Sequence, residues 1–357
     1  MKRVFGIVIF GVGIALAVFA AALKFYVTPL ALNIPYDLER STTIAEASDG
    51  KMINTDTSDP DNVQALLTGT PDYLLSVPLR SYTWVVPQPG MTKEKLKGDL
   101  VGKTVIWTVY DQMGPISGGD PLTASKTDLA LDRKSGALVP WSADTGVAQY
   151  PDEGHSFKLP FDAQQTTYPY WDGTLGKTLD MAYDSTETVE GIEAYRYEQA
   201  KVESKVDAVA MGLLTAEQFG LLEAVIGEGS GDVYYSVERA LLVEPITGQY
   251  LDVNQTVSFE FRGGNGENRT LLSGSFAYTD ETKAKTLDGV TANRDLIILV
   301  RDTLPIYGGG AGVLLFLVGI VLIATGGKKK KAEPEAEPAA AAAPAAAAPA
   351  ATETPSA

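Results

Sequence analysis

The hydrophobic and polar positions divide the chain into two apolar ends and a long middle. Residues 4–23 contain no charged side chain, and neither do residues 303–327. A helix needs about 20 apolar residues to cross a membrane, so the pattern predicts one membrane-spanning helix near each end. A cleaved signal peptide is the alternative for the first segment, because "FAAAL" offers small residues for cleavage. Its apolar stretch is longer than the ~7–15 residues of a usual signal-peptide core, which favours an uncleaved anchor.

The middle of the chain alternates apolar and polar residues with the period of β-strands. In "KTVIWTVYD" one face holds Val105, Trp107 and Val109, and Ile106 interrupts the polar face, so we expect this strand to be partly covered on both sides. "QTVSFEFRG" alternates in the same way, and turn signals recur between such runs. The pattern predicts an antiparallel β-rich domain, built as an open barrel or a curved sheet.

Two segments of the middle show helical patterns. Thr215 and Gln218 form a capping-box pattern, which predicts a helix over residues 215–226. A second helix is expected over residues 280–304, where it leads the chain to the second apolar segment. The predicted fold is therefore a membrane-anchored α+β protein. Its regions are an N-terminal transmembrane anchor (1–27), a β-rich domain (28–304), a C-terminal transmembrane helix (305–327), and a basic anchor followed by a disordered Pro/Ala-rich tail (328–357).

The uneven distribution of charge predicts how the chain sits in a membrane. Basic residues flank each apolar segment on the side nearer the chain terminus. Positive charge marks the cytoplasmic side of a membrane helix. We therefore expect a two-pass plasma-membrane protein with both termini in the cytoplasm and the β-rich domain extracytoplasmic. The topology anchors are Lys2, Arg3, Lys328, Lys329, Lys330 and Lys331. The aromatic residues Phe25, Tyr26 and Tyr307 are then expected at the outer interface. The net charge of −16 argues against a nucleic-acid partner.

Small residues recur within both apolar segments. Gly13, Ala17 and Ala21 are spaced by four residues, as are Gly308 and Gly312. This spacing lets helix backbones approach each other closely. It indicates either that the two helices pair or only that glycine and alanine are common in membrane helices.

The residue types leave little room for catalysis or for a metal centre. The chain has no cysteine and one histidine, which excludes thiol chemistry and clusters of several histidines. We interpret His155 as a surface histidine rather than a general base beside Asp152 and Glu153. The acidic stretch from Asn54 to Asn62 has the composition of a Ca²⁺ loop, but a polar loop is the simpler interpretation. We expect no catalytic residue, no metal ligand and no cofactor, so the protein is predicted not to be an enzyme.

Two stretches share one turn pattern, "LDRKSGALV" and "LVEPITGQY". In each, an acid is followed by two variable residues, a hydroxyl residue and a glycine. Asp132 and Glu244 are suited to accept hydrogen bonds at the start of a turn. Gly136 and Gly248 are free to adopt the left-handed conformation that closes it. The pattern predicts two hairpins with four-residue loops and does not indicate a repeated active loop.

The order of several short motifs resembles a known family. "FKLPF", "TTYPYWDGTL", "VEGIEAYRYEQ", "LLVEPITGQYLD" and "FAYTDET" follow one another between the two apolar segments. Their order resembles that of an actinobacterial family of two-anchored envelope proteins of unknown function, labelled "porin PorA family". The resemblance runs from about residue 2 to residue 327 and implies an extracytoplasmic domain without a catalytic motif. Membrane barrels need many lipid-facing strands, whereas here two apolar helices supply the membrane contact, so we expect no pore.

These observations favour a non-catalytic cell-envelope membrane protein that binds or shuttles lipid or another apolar envelope molecule. The alternative is a structural or adaptor subunit of an envelope protein complex. The expected partners are membrane lipids, with an apolar ligand and an envelope protein as further candidates. Helix 215–226 is predicted either as a lid or as an element packed across the sheet. The candidate ligand or lid residues are Tyr168, Tyr170, Trp171, Phe219, Leu222 and Ile226.

Overall fold

A computed structural model of the chain describes residues 2–54, 56, 59–118, 121–141, 154–228 and 230–326. Its contacts separate two units, which are residues 1–16 with 311–357, and residues 17–310. The helices are α1 (Lys2–Ala22), α2 (Thr28–Ala31), α3 (Pro60–Thr68), α4 (Pro89–Lys95), α5 (Ala216–Val225), α6 (Asp280–Ile298) and α7 (Leu304–Thr325). Two π-helical segments, Leu23–Val27 and Leu299–Thr303, continue α1 and α6.

Antiparallel strands build the larger unit. They are β1 (Ser41–Ala47), β2 (Lys51–Ile53), β3 (Leu74–Ser76), β4 (Leu79–Pro87), β5 (Thr104–Pro115), β6 (Thr123–Asp132), β7 (Leu138–Val139), β8 (Tyr168–Asp172), β9 (Lys177–Val189), β10 (Ile192–Val206), β11 (Gly231–Val243), β12 (Tyr250–Gly263) and β13 (Asn268–Tyr278). Eleven of them follow the order β7-β6-β5-β4-β1-β13-β12-β11-β10-β9-β8, and β2 pairs with β13 and β3. The predicted antiparallel β-rich fold is confirmed.

Residues 154–155 connect the two ends of this sheet. The Leu138 amide on β7 donates to the carbonyl of Gly154 (2.8 Å). On the other side, the His155 amide donates to Pro169 (2.8 Å), and the Trp171 amide donates to His155 (3.1 Å). Backbone hydrogen bonds therefore run from β7 through this segment to β8. The sheet is rolled into a nearly closed barrel, as the alternating sequence pattern predicted.

The alternation of side chains places apolar residues on the inner face of the barrel. Val105, Trp107 and Val109 are buried there with Trp171 of β8. Ile106 faces the other way and packs with Leu96 beside α4. The expectation that this strand is covered on both sides is therefore confirmed. The inner faces of β11, β12 and β13 form the largest apolar cluster, which α5 extends.

The two predicted hairpin loops have the same hydrogen-bonding scheme. Asp132 Oδ1 accepts from the amides of Lys134 (3.0 Å) and Ser135 (2.7 Å). Glu244 likewise accepts from the amides of Ile246 (3.0 Å) and Thr247 (2.7 Å). The closing backbone bonds join Asp132 with Ala137 and Glu244 with Gln249, so each loop has four residues. Both glycines have positive φ, 75° for Gly136 and 70° for Gly248, which confirms the turn prediction.

Helix α6 attaches to the same end of the barrel as the Glu244 turn. Val290 of α6 packs against Ala194 and Leu251 on the outer face of the sheet. Further along the helix, Asn293 Nδ2 donates to Gln249 Oε1 (3.1 Å), and Arg294 lies 3.6 Å from Glu244. The predicted helix over residues 280–304 is thus present, with a π-helical turn in place of a regular end. These apolar and ionic contacts hold α6 against this end of the barrel.

In the described part of the smaller unit, two long apolar helices lie in close contact. The helical stretches 2–31 and 280–325, which contain α1 and α7, each include an 18-residue window apolar enough to cross a membrane, with mean hydropathies of 2.7 and 2.4. A Cβ on Gly13 would collide with the backbone of Phe316, and one on Gly319 would lie 2.6 Å from the Phe10 amide nitrogen. Gly308 has no such neighbour. The close approach therefore uses Gly312 and Gly319, seven residues apart, rather than the four-residue spacing of Gly308 and Gly312.

Replacing Gly13 with leucine is expected to separate the two helices at this contact. The larger side chain has no room beside Phe316, and such overpacking costs roughly 1–3 kcal/mol. Because the chain lacks cysteine, cysteines introduced at Phe10 and Phe316, whose rings lie 4.8 Å apart, report the contact by disulfide formation. The yield should fall at least several-fold in Gly13→Leu. Gly11→Leu is the control, since Gly11 has no neighbour within 4 Å; equal yields in both variants would contradict the contact.

Candidate binding site inside the barrel

A charged pair lies at inward positions of the barrel wall. Arg239 of β11 is 9% exposed and Asp172 of β8 is 1% exposed, and their side chains are 2.5 Å apart. The Arg239 guanidinium also donates to Gln199 (2.7 Å) and Gln255 (3.0 Å). Burial by itself lowers the pKa of Arg239, but Tyr170, Tyr235 and Asp172 raise it above the usual value. The guanidinium therefore remains charged. Its contacts join four strands, β8, β10, β11 and β12, at one point.

A row of polar side chains crosses the opposite wall. Thr83 Oγ1 on β4 donates to Asp111 Oδ1 on β5 (2.7 Å). Thr43 of β1 lies directly opposite Thr83 in the strand pairing. Tyr278 of β13 lies opposite Ala45, two residues further along β1. Burial raises the pKa of Tyr278, and a hydrogen bond with Thr43 opposes that change. The row therefore runs from Asp111 to Tyr278 over four adjacent strands, β5, β4, β1 and β13.

Asp111 faces a space inside the barrel that admits water. Its neighbours at the same inward register, Val109 and Met113, belong to apolar clusters of the interior. The Asp111 side chain nevertheless has a large accessible surface. The surrounding protein still raises the pKa of its carboxyl through burial, with Thr83 opposing the change. Because Asp111 shares the inward register of Val109 and Met113, its accessible surface faces the interior of the barrel rather than the outer face.

The two polar groups converge on Tyr170 of β8. Burial raises the pKa of the Tyr170 hydroxyl, which also senses the charges of Arg239, Asp172 and Asp111. The Arg239 guanidinium lies 5.0 Å from the centre of the Tyr170 ring. Tyr250, which is 8% exposed, has a buried hydroxyl without a hydrogen-bond partner in the described chain. We call the set Thr43, Thr83, Asp111, Tyr170, Tyr278 and the Arg239–Asp172 pair the barrel site.

Replacing Asp111 with asparagine is expected to raise the Tm of the protein at pH 7. Burial raises the folded-state pKa of Asp111, so its ionised form is less stable in the folded chain than in the unfolded chain. This cost is complete above the folded-state pKa and disappears as the pH falls toward the unfolded-state pKa. The Tm difference between Asp111→Asn and the native chain should therefore shrink from pH 7 to pH 4 in thermal scans.

The control for this experiment is Asp180→Asn, because Asp180 is exposed on the outer face of β9. Its Tm should stay close to that of the native chain. Thr83 keeps an acceptor in Asp111→Asn, because the amide oxygen replaces the carboxylate oxygen. An Asp111→Asn protein less stable than the native chain at pH 7 would contradict a carboxylate destabilised by burial.

The segment 154–163, which we call the plug segment, fills the end of the barrel at the two hairpin loops. The Leu159 amide donates to Gly248 (2.7 Å), and Lys158 forms a bridge with Gln249. His155 is only 5% exposed, so the surface interpretation is wrong; it packs edge-on against Tyr168. Burial lowers the pKa of His155 to about 4, which leaves it neutral. Its sequence neighbours Asp152 and Glu153 lie outside the described residues.

Lys158 is a second buried basic group of the plug segment. It is 6% exposed, and its Nζ has no hydrogen-bond partner in the part of the chain that the structure describes. The amine lies 3.3 Å from the centre of the Phe161 ring. Burial lowers its pKa to about 7. An ammonium on an aromatic face keeps part of its stabilisation without a carboxylate, which explains how this lysine is accommodated.

The predicted ligand residues fall into two separate groups. Tyr168, Tyr170 and Trp171 all lie on β8, and Trp171 packs against the β5 and β6 wall. Tyr168 contacts the ring of Tyr197 at 5.8 Å. Three of the candidates instead belong to the α5 region at the other end of the barrel, namely Phe219, Leu222 and Ile226. Leu222 and Ile226 are buried in the largest apolar cluster, as the packing alternative predicted; a lid role would require them to leave this core.

The acidic stretch 54–62 has a structural explanation in the residues that are described. Asp59 caps helix α3, with its side chain accepting from the Asp61 amide (2.9 Å). Asn62 donates to the carbonyl of Asp56 (3.1 Å). Residues 55, 57 and 58 lie outside the described chain. Within the described residues, no group of three or more His, Asp or Glu side chains is placed to hold a metal ion.

The outer face of β9 to β13 carries a shallow concavity of about 780 Å³. Small side chains of alanine, serine and threonine form much of its floor. Four carboxylates belong to its wall, those of Asp180, Asp184, Glu198 and Glu238. The surface is therefore acidic and open to solvent, in contrast to the barrel site on the other side of the same strands.

Of the topology anchors, Lys2 and Arg3 begin α1. Lys328 to Lys331 lie outside the described residues. Arg301, beyond α6, donates to Asp162 of the plug segment (2.6 Å). Lys24, beyond α1, donates to the Arg301 carbonyl (3.1 Å). The segments that follow α1 and α6 are thus joined to each other and to the barrel.

A curved antiparallel β-domain between two long apolar helices defines a membrane protein with a β-rich domain. The family model Porin PorA matches residues 5–321, so the chain belongs to that family. A Porin PorA of Corynebacterium amycolatum is 22% identical over 393 residues, covering 91% of this chain and 98% of the relative. A Porin PorA of Corynebacterium resistens is 22% identical over 295 residues, covering 66% and 69%. The resemblance noted in the sequence motifs is confirmed.

Proposed function

We propose that this protein is a non-catalytic envelope protein that binds a lipid or another apolar envelope molecule inside the barrel. The observation that carries the proposal is the accessible surface of Asp111 in the barrel interior. Half-buried apolar side chains flank the polar row, namely Val85 next to Thr83 and Met113 next to Asp111. A ligand with an apolar part and a polar end matches this lining.

We also propose that the chain crosses the plasma membrane twice, with both termini in the cytoplasm and the barrel outside. Support comes from Lys2 and Arg3 at the start of α1 and from the lysines at 328–331. The aromatic residues Phe25, Tyr26 and Tyr307 are exposed, as expected of rings at a membrane interface. Cysteines introduced at Thr188 and Ser356 test this topology, because the chain has none. An impermeant maleimide should label position 188, but not 356, in intact spheroplasts.

Native mass spectrometry of the full chain in a mild detergent tests ligand binding. A bound mass should survive purification and be released when the protein unfolds. Thr83→Trp fills the interior and should abolish the bound mass. Thr42→Trp is the matched control, since position 42 pairs with Trp84 on the other face of the same strands. Native protein that is empty after gentle extraction, with no lipid recovered by solvent, would contradict the proposal.

The relatives are named porins, yet the ends of this barrel support binding rather than conduction. Leu159 of the plug segment is fully buried at one end, and Leu222 and Ile226 are buried at the other. A continuous aqueous channel would need both fillings to move. Full-length protein in a planar bilayer is expected to give no discrete conductance steps, and reproducible single-channel steps would argue for a pore.

A second candidate function is that of an adaptor subunit. The acidic concavity on β9 to β13 favours it, because its carboxylates would attract a basic surface of an envelope protein. Crosslinking followed by purification tests this candidate. A stoichiometric partner, lost when Glu198 and Glu238 are both changed to glutamine, would support an adaptor, whereas co-purified lipid with no partner supports the first proposal.

A further inference from the structure

We propose that the barrel site binds a neutral, polyhydroxyl group of the sugar type, with Asp111 as the central acceptor. The inference rests on the proposed function and specifies the polar end of the ligand. Its hydrogen-bonding partners would be the side chains that share the cavity wall with Asp111. These are Thr43, Thr83, Tyr170 and Tyr278.

The first argument is the unused hydrogen-bonding capacity of Asp111. An ionised carboxylate offers about four lone-pair positions. Within the described chain Asp111 accepts one hydrogen bond from a side chain, that of Thr83 (2.7 Å), and forms no ion pair. The surrounding protein removes part of its hydration, which raises the pKa of the carboxyl. A ligand with several O–H donors would restore the lost hydrogen bonds.

The second argument is that the cavity disfavours ligands of either charge. A cationic ligand beside Tyr170 would face the guanidinium of Arg239, 5.0 Å from that ring. An anionic ligand would face Asp111 and Asp172, whose charges both act on Tyr170. The N–H donors of Arg239 are already engaged by Asp172 (2.5 Å), Gln199 (2.7 Å) and Gln255 (3.0 Å), so they are not available to bind an anion. A neutral ligand with O–H donors is repelled neither by the guanidinium nor by the carboxylates.

The third argument is the chemistry of the remaining wall. Thr43 and Thr83 are directly opposite each other on β1 and β4, and Thr43 is within hydrogen-bonding reach of Tyr278. Each hydroxyl both donates and accepts, which matches the hydroxyls of a sugar. The rings of Tyr170 and Tyr278 add apolar faces suited to the C–H face of a pyranose. The apolar side chains that flank this row are Val85, Val109 and Met113, so most of its surface is polar and offers an acyl chain few contacts.

A set of six-carbon probes that differ only in the head group tests the inference. The full chain in lipid nanodiscs is titrated with hexyl maltoside, hexylamine and hexanoate by calorimetry. Hexyl maltoside should bind at least tenfold more tightly than the two charged probes, and Asp111→Asn should weaken it about 10- to 100-fold, as expected for a hydrogen bond to a charged group. Thr83→Val should also weaken binding, whereas Asp180→Asn on the outer face should not.

Maltose distinguishes the two sources of such a group. Equal binding of maltose and hexyl maltoside supports a free sugar, and binding of hexyl maltoside alone supports a lipid head group. Preference for hexylamine or hexanoate, or unchanged binding by Asp111→Asn, would overturn the inference. If no probe binds while lipid still co-purifies with the chain, the sugar inference fails and the proposed function stands. If maltose binds through Asp111 and no lipid is recovered, the proposed function fails instead.

Discussion

Replacing Gly248 with alanine is expected to lower the stability of the β-domain by about 2–5 kcal/mol. Its φ of 70° is a left-handed conformation, which costs an L-residue about 1–2 kcal/mol. A Cβ there would also collide with the carbonyl oxygens of Leu159 and Pro160 in the plug segment, and overpacking adds about 1–3 kcal/mol. In thermal scans of the full chain this corresponds to a Tm lower by roughly 5–20 °C.

Gly266 provides the matched control for this prediction. It closes the β12–β13 hairpin with a φ of 85°, and a Cβ there would meet no atom within 4 Å. Gly266→Ala should therefore lose only the conformational part, about 1–2 kcal/mol. Equal losses in the two variants would show that the plug segment does not rest on the Glu244 turn. Gly248→Val should be at least as destabilising as Gly248→Ala.

Local rules were sufficient to predict the architecture of the chain. Two uncharged segments gave the apolar helices, period-two alternation gave strands such as β5 and β12, and acid-to-glycine spacing gave both four-residue loops. Each of these depends on neighbours within a few residues. The contact of the Gly248 turn with Leu159 depends on residues about ninety positions apart in the sequence. Nothing in the local pattern shows that a plug segment needs a glycine there.

The sequence contains a signal for the barrel site, in charged residues that interrupt two apolar registers. In "GDVYYSVERALLV" the inward positions are Val233, Tyr235, Val237, Arg239 and Leu241, so one charged residue interrupts an apolar register. Asp111 interrupts the inward register of β5 in the same way. Charged residues on buried faces are rare unless they are paired or functional. Such interruptions identify candidates, but only the strand order reveals that Arg239 meets Asp172.

His155 shows why exposure was harder to predict than secondary structure. A single histidine among charged and polar residues is usually on the surface. Here the plug segment crosses the barrel end between two hairpin loops, and burial follows from that route. The route is fixed by backbone bonds to Gly248, Ile246 and Pro245, which involve no distinctive side chains. Burial of this kind has no local sequence pattern.

Replacing Arg239 with methionine is expected to lower the free energy of unfolding by about 3–5 kcal/mol, because it leaves the buried Asp172 charge without a partner. Gln199 and Gln255 would also lose the guanidinium to which they are hydrogen-bonded. Methionine has a similar length and fills the same apolar stem position, so the loss reports on charge rather than on volume.

Arg262→Met is the matched control for Arg239→Met. Arg262 also contacts two carboxylates, Glu203 (2.6 Å) and Glu260 (2.7 Å), but its side chain is 35% exposed. Exposed pairs contribute about 0–1 kcal/mol, so this variant should stay within about 1 kcal/mol of the native chain. Adding Asp172→Asn to Arg239→Met should recover part of the loss, because the uncompensated charge is removed.

Similar losses in the two arginine variants, or no recovery in the double variant, would mean that the interior of the barrel is hydrated enough to screen Asp172. A cavity that wet would bind ligands through water rather than through the direct hydrogen bonds that the barrel site offers.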